Sequence, residues 1–310
     1  MVISKRGRTN RGEALSPKIT CPICHKEDAV RLFDKEGRGF FQCNEDRLVY
    51  INPQPEREDL QEIYDTYGKE HFVLPDSIAA IWEYPDYRKR FLEFRRLNRL
   101  LEIGAAAGGF LLCCEKDGWD AYGVELSAIS SRFAREQQGL NVVTGTLHDA
   151  KFASGFFDVA VAWQTLEHVP NPREVVTEVF RILRPGGFFV LSVPCWNGLS
   201  IRLLREKYRY VGRDHLFYFS PQNMRRMLGD IGFSKVSTKT GGFNPIVWYE
   251  DIRGRPVKSE KNRPQKIQRT ESTLTRFRTD PFLKPIHQVY YKIIEALDLG
   301  DTLFAEALKE

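Results

Sequence analysis

Residues 101–110, LEIGAAAGGF, decide the fold of this chain. A short apolar run leads into a loop of small residues, and glycines in such a loop let the backbone approach a ligand that a Cβ would block. Glu125 ends the next predicted strand, 21 residues after Gly104. A carboxylate at that place can accept hydrogen bonds from both hydroxyls of a ribose. The stretch therefore predicts a nucleotide-binding loop in an α/β fold.

From about residue 97 the chain alternates apolar strand segments with amphipathic helices, which is typical of a parallel sheet with crossover helices. Seven segments are predicted as strands: 100–104, 121–126, 141–145, 157–163, 188–194, 235–241 and 301–309. Asn171 with Pro172 and Glu174 predicts a helix that starts with a capping box. Ser220 with Pro221 predicts a second capped helix start. The RPGG motif after the first of these helices is expected to end it.

Two cofactors fit the loop. A dinucleotide alignment places Gly104, Ala106 and Gly109 on G-x-G-x-x-G, but the alanine replaces the glycine that lets backbone approach a pyrophosphate. An S-adenosylmethionine alignment uses Gly104 and Ala106 together with Gly108, in the pattern acid-x-G-x-G-x-G. The acid is Glu102, whose carboxylate can attract the ammonium of the methionine moiety, and no pyrophosphate has to be held. The second alignment explains more residues.

Four segments in this order resemble the class I S-adenosylmethionine-dependent methyltransferases. They are LEIGAAAGGFL, YGVELS, FDVAVAWQTLEHVPNP and VFRILRPGGFFVLSVP. The likeness is to bacterial members with LEHVPDP after the fourth strand and LRPGG before the fifth. It covers roughly residues 97–240 and the terminal strand. The resemblance implies an α/β fold with a Rossmann-like, seven-stranded, doubly wound sheet.

The same resemblance implies which residues bind the cofactor. Glu102, Gly104 and Gly108 would line the methionine side of S-adenosylmethionine. Glu125 would hold the ribose hydroxyls, and Leu126 would lie against the adenine.

Two further places are implied by the resemblance. In the segment GTLHDAKF, Asp149 or the backbone around Leu147 and His148 would meet the adenine amino group. Trp163 and Gln164, at the carboxyl end of the fourth strand, would lie near the sulfonium.

A cysteine cluster precedes the nucleotide loop. Cys21 and Cys24 form a C-x₂-C knuckle, and Cys43 follows nineteen residues after Cys24. Zinc takes four N, S or O donors in a tetrahedron. A full ribbon would have a cysteine where this chain has Asp46, and His25 is the other candidate for the fourth ligand. The segment DRLVYINP resembles the end of an N-terminal knuckle in similar methyltransferases, so we expect a zinc-knuckle-like module, with a degenerate ribbon without zinc as the alternative.

Two histidines are candidate catalytic residues. Methyl transfer to a hydroxyl benefits from a base near the nucleophile. His168 lies in QTLEHVP at the carboxyl end of the sheet, where ligands bind in open α/β folds. His215 lies in GRDHLFYFSP, in the long connection after the fifth strand. A capping or packing role is the alternative for each.

The expected organisation has four parts: a disordered tail (1–18), the zinc-knuckle-like module (19–53), a helical lid or linker (54–96) and the methyltransferase domain (97–310). A basic insertion at about 244–284 lies within the last part. Residues 251–284 hold ten Lys and Arg against four acids, which favours a solvated loop over a site for a phosphate-bearing partner. By chain order alone, the candidates for a lid over the cofactor are Tyr64, Tyr67, His71 and Tyr84.

Composition narrows the class of protein. The 310 residues are 42% hydrophobic with a formal net charge of +5, too mild to indicate nucleic acid, and no basic-aromatic alternation is visible. No apolar run approaches the ~20 residues that cross a bilayer. The N-terminal segment has no apolar core of a signal peptide, so the six cysteines are expected as reduced thiols or metal ligands in the cytoplasm.

These observations predict an enzyme that transfers a methyl group from S-adenosylmethionine to a small-molecule or glycan-precursor acceptor, at oxygen. An RNA or protein methyltransferase and a catalytically inactive cofactor-binding protein are the alternatives, and a nicotinamide dehydrogenase is a more distant one. The oligomeric state stays open.

Overall fold

The strands and helices follow the predicted alternation closely. The protein is represented by a computed structural model that describes residues 20–55, 84–212, 214–242, 245–253 and 283–310. Its strands are β1 (Ala29–Lys35), β2 (Arg38–Cys43), β3 (Val49–Asn52), β4 (Arg99–Ile103), β5 (Asp120–Glu125), β6 (Asn141–Thr144), β7 (Phe157–Trp163), β8 (Leu183–Pro194), β9 (Phe217–Tyr218), β10 (Ser234–Gly241) and β11 (Thr302–Lys309). Its helices are α1 (Tyr84–Phe94), α2 (Gly109–Lys116), α3 (Ala128–Glu136), α4 (Pro172–Ile182), α5 (Leu199–Leu204), α6 (Pro221–Ile231), α7 (Pro245–Ile252) and α8 (Leu283–Ala296).

A seven-stranded sheet has the order β10-β11-β8-β7-β4-β5-β6. All seven segments predicted as strands are members of it, and the predicted α/β, Rossmann-like fold class is confirmed. Every residue of β7 before Trp163 is buried, as its continuous apolar sequence predicts for a strand covered on both faces.

The strand order reverses beside β4. The strands β5 and β6 lie on one side of β4, whereas β7 and β8 lie on the other. In open α/β sheets the crevice outside the carboxyl ends of the strands at such a reversal binds ligands. The loops after β4 and β7 meet there, since Thr165 Oγ1 donates a hydrogen bond to the carbonyl of Ile103 at 3.1 Å.

The last strand differs from the expectation of a parallel sheet. β11 lies antiparallel between β8 and β10. β11 begins next to the carboxyl end of β10, because the Asp301 N–H donates to the Gly242 carbonyl at 2.8 Å. From that point β11 can pair along β10 only in the opposite direction.

The two predicted helix starts have different outcomes. Ser220 and Asn223 form a reciprocal capping box before α6. The capping box predicted for Asn171 is wrong, because its side-chain amide turns to donate to Glu174 Oε2 at 3.3 Å and makes no cap hydrogen bond. Helix α4 also ends before the RPGG motif, since Leu183 already pairs with Phe157 of β7.

Strands β1, β2 and β3 of the N-terminal module belong to a second, smaller sheet. Its order is β1-β2-β3-β9, and β9 comes from the connection after β8. The predicted 19–53 module therefore shares its sheet with the connection that carries His215. Its fourth strand is only two residues long, which is too short for a hydrophobic pattern to predict.

Several predicted segments lie outside the described residues. These are the tail, most of the lid or linker with Tyr64, Tyr67 and His71, and most of the basic insertion. Tyr84 begins α1, and residues 245–252 of the predicted insertion form α7. Among the helices that the structure describes, none is long and apolar enough to span a membrane.

Candidate functional site

Three residues in and next to the loop after β4 have the left-handed backbone conformation. Gly104, Ala106 and Gly108 have φ angles of 78°, 46° and 85°. This region costs an L-residue roughly 1–2 kcal/mol, which glycine avoids. Ala106 is exposed, and its N–H donates to Glu125 Oε2 at 2.8 Å. The alanine therefore adopts the conformation that a glycine would, and its backbone makes the contact.

The two glycines also have a reason within the protein. A Cβ on Gly104 would lie 2.5 Å from Thr165 Oγ1, and one on Gly108 would clash with Leu140 Cδ1. From the sequence, these glycines were expected to allow the close approach of a ligand. In the structure, neighbouring side chains already occupy the space that a Cβ would need.

Two carboxylates flank the loop in the fold: Glu125 bonds to it, and Glu102 lies on β4 just before it. Glu125 Oε1 accepts a hydrogen bond from Ser127 N at 2.7 Å, while Oε2 accepts from Ala106 N. The pKa of Glu125 lies above its ordinary value, because burial raises the pKa more than the backbone hydrogen bonds lower it. Each carboxylate oxygen retains a further lone pair for a hydroxyl donor. Glu102 lies on β4 and is only 5% exposed.

The residues expected near the adenine have different surroundings. Leu147 is buried, Leu126 is half-buried, and His148 is exposed. Asp149 Oδ2 accepts from both the N–H and the hydroxyl of Thr146, at 2.9 and 2.7 Å. The Asp149 carboxylate therefore closes its own turn, and its contact with adenine stays a prediction, as does that of the backbone around Leu147 and His148.

The end of β7 is held on both sides. Gln164 N donates to the Ser192 carbonyl at 2.9 Å, and its side-chain amide donates to Ser192 Oγ at 3.2 Å. The Trp163 ring lies 5.5 Å from Tyr87 of α1 and 5.7 Å from Phe110 of α2, measured between ring centroids. Helix α1 thus covers the strand end that was expected to lie near the sulfonium.

The two candidate histidines are brought together. Their ring centroids are 4.7 Å apart at an interplanar angle of 73°. His168 Nδ1 lies 2.7 Å from the carbonyl of Asp214. Because a carbonyl only accepts, Nδ1 carries the proton of the neutral ring and Nε2 carries the lone pair. Glu167 Oε1 is 3.8 Å from that Nε2.

Burial keeps both rings neutral. It lowers the pKa of His168 below the ordinary histidine value, and burial together with the neighbouring His168 lowers the pKa of His215 to about 4. His215 Nδ1 is buried and has no hydrogen-bond partner among the described residues. At neutral pH the pair is therefore an uncharged site that can accept a proton.

The predicted metal ligands also lie together. One ligand atom from each of Cys21, Cys24, Cys43 and Asp46 lies within 4.8 Å of all the others. Cys24 and Cys43 Sγ are 3.4 Å apart, and Cys21 Sγ lies 3.1 Å from Asp46 Oδ2. Asp46 is the fourth member of this cluster, whereas His25 is exposed and outside it.

Several residues near the candidate site were not predicted from the sequence. The ring of Tyr87 packs on Trp163, and the Asp214 carbonyl contacts His168. The side chain of Thr165 fills the space beside Gly104. No local pattern identifies them, because each contact joins segments far apart in the chain. Glu167 was within reach of sequence reasoning, as it precedes His168 in the same motif.

Comparison with known proteins relates this arrangement to a family. A family model described as a methyltransferase domain matches residues 79–238. The ubiquinone biosynthesis O-methyltransferase of Psychrobacter arcticus is 28% identical over 164 residues, which are 48% of this chain and 64% of that protein. A protein of the same name from Cereibacter sphaeroides is 27% identical over 196 residues, 59% of this chain and 78% of its own length. The match to the first relative thus spans less than two thirds of it.

Solved structures with the same fold are more distant in sequence. A SAM-dependent methyltransferase from Thermotoga maritima superposes with a TM-score of 0.50 at 18% identity, covering 81% of this chain and all of that one. Haemonchus contortus phosphoethanolamine N-methyltransferase 2, in complex with S-adenosyl-L-methionine, has a TM-score of 0.55 at 17% identity and covers 90% of this chain and 71% of its own. At these identities the likeness concerns the fold.

The buried histidine pair predicts acid instability. In the unfolded chain a histidine titrates near 6.5, but in the folded chain the pKa of His215 is about 4. Between these values only the unfolded state binds the proton, so stability is lost as pH falls from about 6.5 to 4. The slope is up to about 1.4 kcal/mol per pH unit for each such histidine.

Denaturant unfolding at a series of pH values measures this slope. H215Q should flatten it, whereas H148Q, a change at an exposed histidine, should leave it unchanged. Equal slopes in H215Q and the unaltered protein would show that His215 is not held neutral.

Proposed function

Because the chain belongs to the methyltransferase domain family, we propose that it transfers the methyl group of S-adenosylmethionine to a hydroxyl of a small-molecule acceptor. The observation that carries the proposal is the placement of the β4 loop, Glu125 and the histidine pair around one strand-order reversal. The names of the relatives, ubiquinone biosynthesis O-methyltransferases, support oxygen as the methylated atom. No relative or structure named above bears on a glycan precursor.

The residues of the loop fit this cofactor. Glu125 would accept from the ribose hydroxyls, and Glu102 would face the ammonium of the methionine moiety. The left-handed Ala106 has an exposed methyl group where a pyrophosphate-binding loop needs glycine, which disfavours a dinucleotide. When bound, S-adenosylmethionine supplies a methyl group already activated on a sulfonium. The protein then has to hold and deprotonate the acceptor.

His168 is the base in this proposal. Its Nδ1 proton is donated to the Asp214 carbonyl, so the neutral ring carries on Nε2 the lone pair that takes the proton of the acceptor hydroxyl. The imidazolium that forms lies 3.8 Å from the Glu167 carboxylate, which stabilises the positive charge. The neighbouring His215, being neutral, adds no repulsion to that charge.

Removal of the Glu125 carboxylate should weaken cofactor binding. A hydrogen bond to a charged acceptor is worth about 1.5–3 kcal/mol, so E125A should raise the Kd for S-adenosylhomocysteine at least roughly tenfold. Calorimetric titration measures the Kd. E136A, which removes an exposed carboxylate at the end of α3, is the matched control and should bind like the unaltered protein. Equal affinities for E125A and E136A would remove Glu125 from the ribose site.

Replacement of the base should lower turnover without changing cofactor affinity. With a hydroxyl-bearing small molecule that the unaltered protein methylates and S-adenosylmethionine labelled in the methyl group, mass spectrometry follows the labelled product. H168Q should lower kcat by about 10²–10⁴, the usual contribution of a general base. E136A, at an exposed carboxylate outside the proposed site, should retain the activity.

Two outcomes would contradict this role of His168. One is turnover of H168Q within a few-fold of the unaltered protein. The other is activity that requires an added divalent cation, because ligand atoms of Glu167, His168 and His215 lie within 4.8 Å of one another. A metal at these residues would occupy the lone pair that the base needs.

We further propose that the N-terminal module binds structural zinc. Zn–S bonds of about 2.3 Å in a tetrahedron place sulfurs roughly 3.8 Å apart, and the 3.4 Å between Cys24 and Cys43 Sγ is close to that value. Three thiols and one carboxylate are a donor set that zinc accepts. The ion would join the C-x₂-C turn to the end of β2.

Metal analysis of the purified chain tests this site. We expect about one zinc per chain, lost in C43S together with a lower thermal midpoint. C113S, at a half-buried cysteine on α2, should keep the metal. A zinc content that is negligible in the unaltered protein, or equal in C43S and C113S, would contradict the proposal.

A further inference from the structure

The N-terminal module reaches the loop that determines the protonation of His168. We propose that this module is a positioning element for the base: through β9 and Lys35 it holds the carbonyl of Asp214, which keeps the proton of neutral His168 on Nδ1. The proposal rests on the role of His168 described above, and it assigns the module a task beyond the binding of zinc.

The first link is the strand pairing. β3 pairs antiparallel with β9, and the Ile51 N–H donates to the Leu216 carbonyl at 3.1 Å. From the opposite side, the Leu216 N–H donates to the Glu167 carbonyl at 2.7 Å. The residues 214–218 are thus fixed between the module and the loop that carries His168.

The second link is a lysine of the module. Lys35, at the end of β1, donates from Nζ to the carbonyls of Tyr208, at 3.0 Å, and Val211. Asp251 of α7 holds the same connection from its other side through Arg209 Nε at 2.6 Å. The connection before Asp214 is therefore anchored twice, and loss of the lysine contact leaves one anchor in place.

The third link closes the loop itself. The Tyr218 hydroxyl accepts from Gly212 N at 2.9 Å and donates to Gly212 O at 3.2 Å, so the two ends of the segment that contains Asp214 are joined. The Tyr218 ring lies against Phe40 of β2, with centroids 5.9 Å apart. The module thereby supports the residue that closes the loop.

The cysteine cluster stands at the start of this chain of contacts. Asp46 Oδ1 accepts from Leu48 N at 2.9 Å, and Cys43 N donates to the Leu48 carbonyl at 2.9 Å. Leu48 directly precedes β3 and is fully buried. Residues proposed to bind zinc therefore set the position of β3, which in turn sets the position of β9 and Asp214.

Long-range ¹H–¹⁵N spectra of the histidine side chains test the inference, because they show which ring nitrogen carries the proton. The His168 signals are assigned by their loss in H168Q. In the unaltered protein above pH 7 we expect the proton on Nδ1. K35M and Y218F should shift His168 to a mixture in which the Nε2–H form is readily observed.

Matched controls separate this effect from a general disturbance. K26M removes another lysine of the module, whose ammonium pairs with Glu45 at the surface. Y122F removes a hydroxyl that donates to Asp120 at the other end of the sheet. Both should leave His168 in the Nδ1–H form. S-adenosylhomocysteine should bind K35M and Y218F with unchanged affinity, while their kcat falls.

An Nε2–H form of His168 in the unaltered protein would overturn the inference, and so would an unchanged Nδ1–H form in Y218F. Should K35M fail to fold, Y218F decides alone, because it keeps the aromatic packing and loses only the hydroxyl contacts. A chain that binds no S-adenosylhomocysteine would refute the proposed function and leave the nitrogen assignment to be judged by itself.

Discussion

The carboxylate of Glu125 joins the two loops on which the cofactor side of the site depends. It accepts from Ala106 N in the loop after β4 and from Ser127 N at the start of α3. The parallel pairing of β4 with β5 brings these loops to the same edge of the sheet. Without that pairing the loop after β4 and Glu125 would not meet, and the crevice at the strand-order reversal would lack this carboxylate.

The proposed acceptor side has a different construction. It would consist of a loop after β7, with Glu167 and His168, and a connection after β8, with Asp214 and His215, which lie against each other. Neither belongs to the regular part of the sheet. Backbone hydrogen bonds of Leu216 join them to each other and to the small N-terminal sheet, of which β9 is the fourth strand. The module is thus part of the architecture of the site, although in sequence it lies far from it.

The fold was predictable because its information is local. Alternating apolar segments identify the seven strands, and the spacing from Gly104 to Glu125 places a carboxylate at a strand end. The contact of Asp214 with His168 and the pairing of β3 with β9 join distant segments, so no window of sequence contains them. The capping-box prediction at Asn171 was wrong for a local reason, because the Asn171 side-chain amide bonds to the Glu174 carboxylate and not to the backbone.

We place the cofactor and the base at one edge of the sheet. A crystal structure of the chain with S-adenosylhomocysteine would show this arrangement. We expect the ribose hydroxyls within hydrogen-bond distance of Glu125, and the thioether sulfur at the carboxyl ends of β4 and β7, on the side that His168 Nε2 faces. A nucleotide bound away from Glu125, or a sulfur separated from His168 by the sheet, would contradict it.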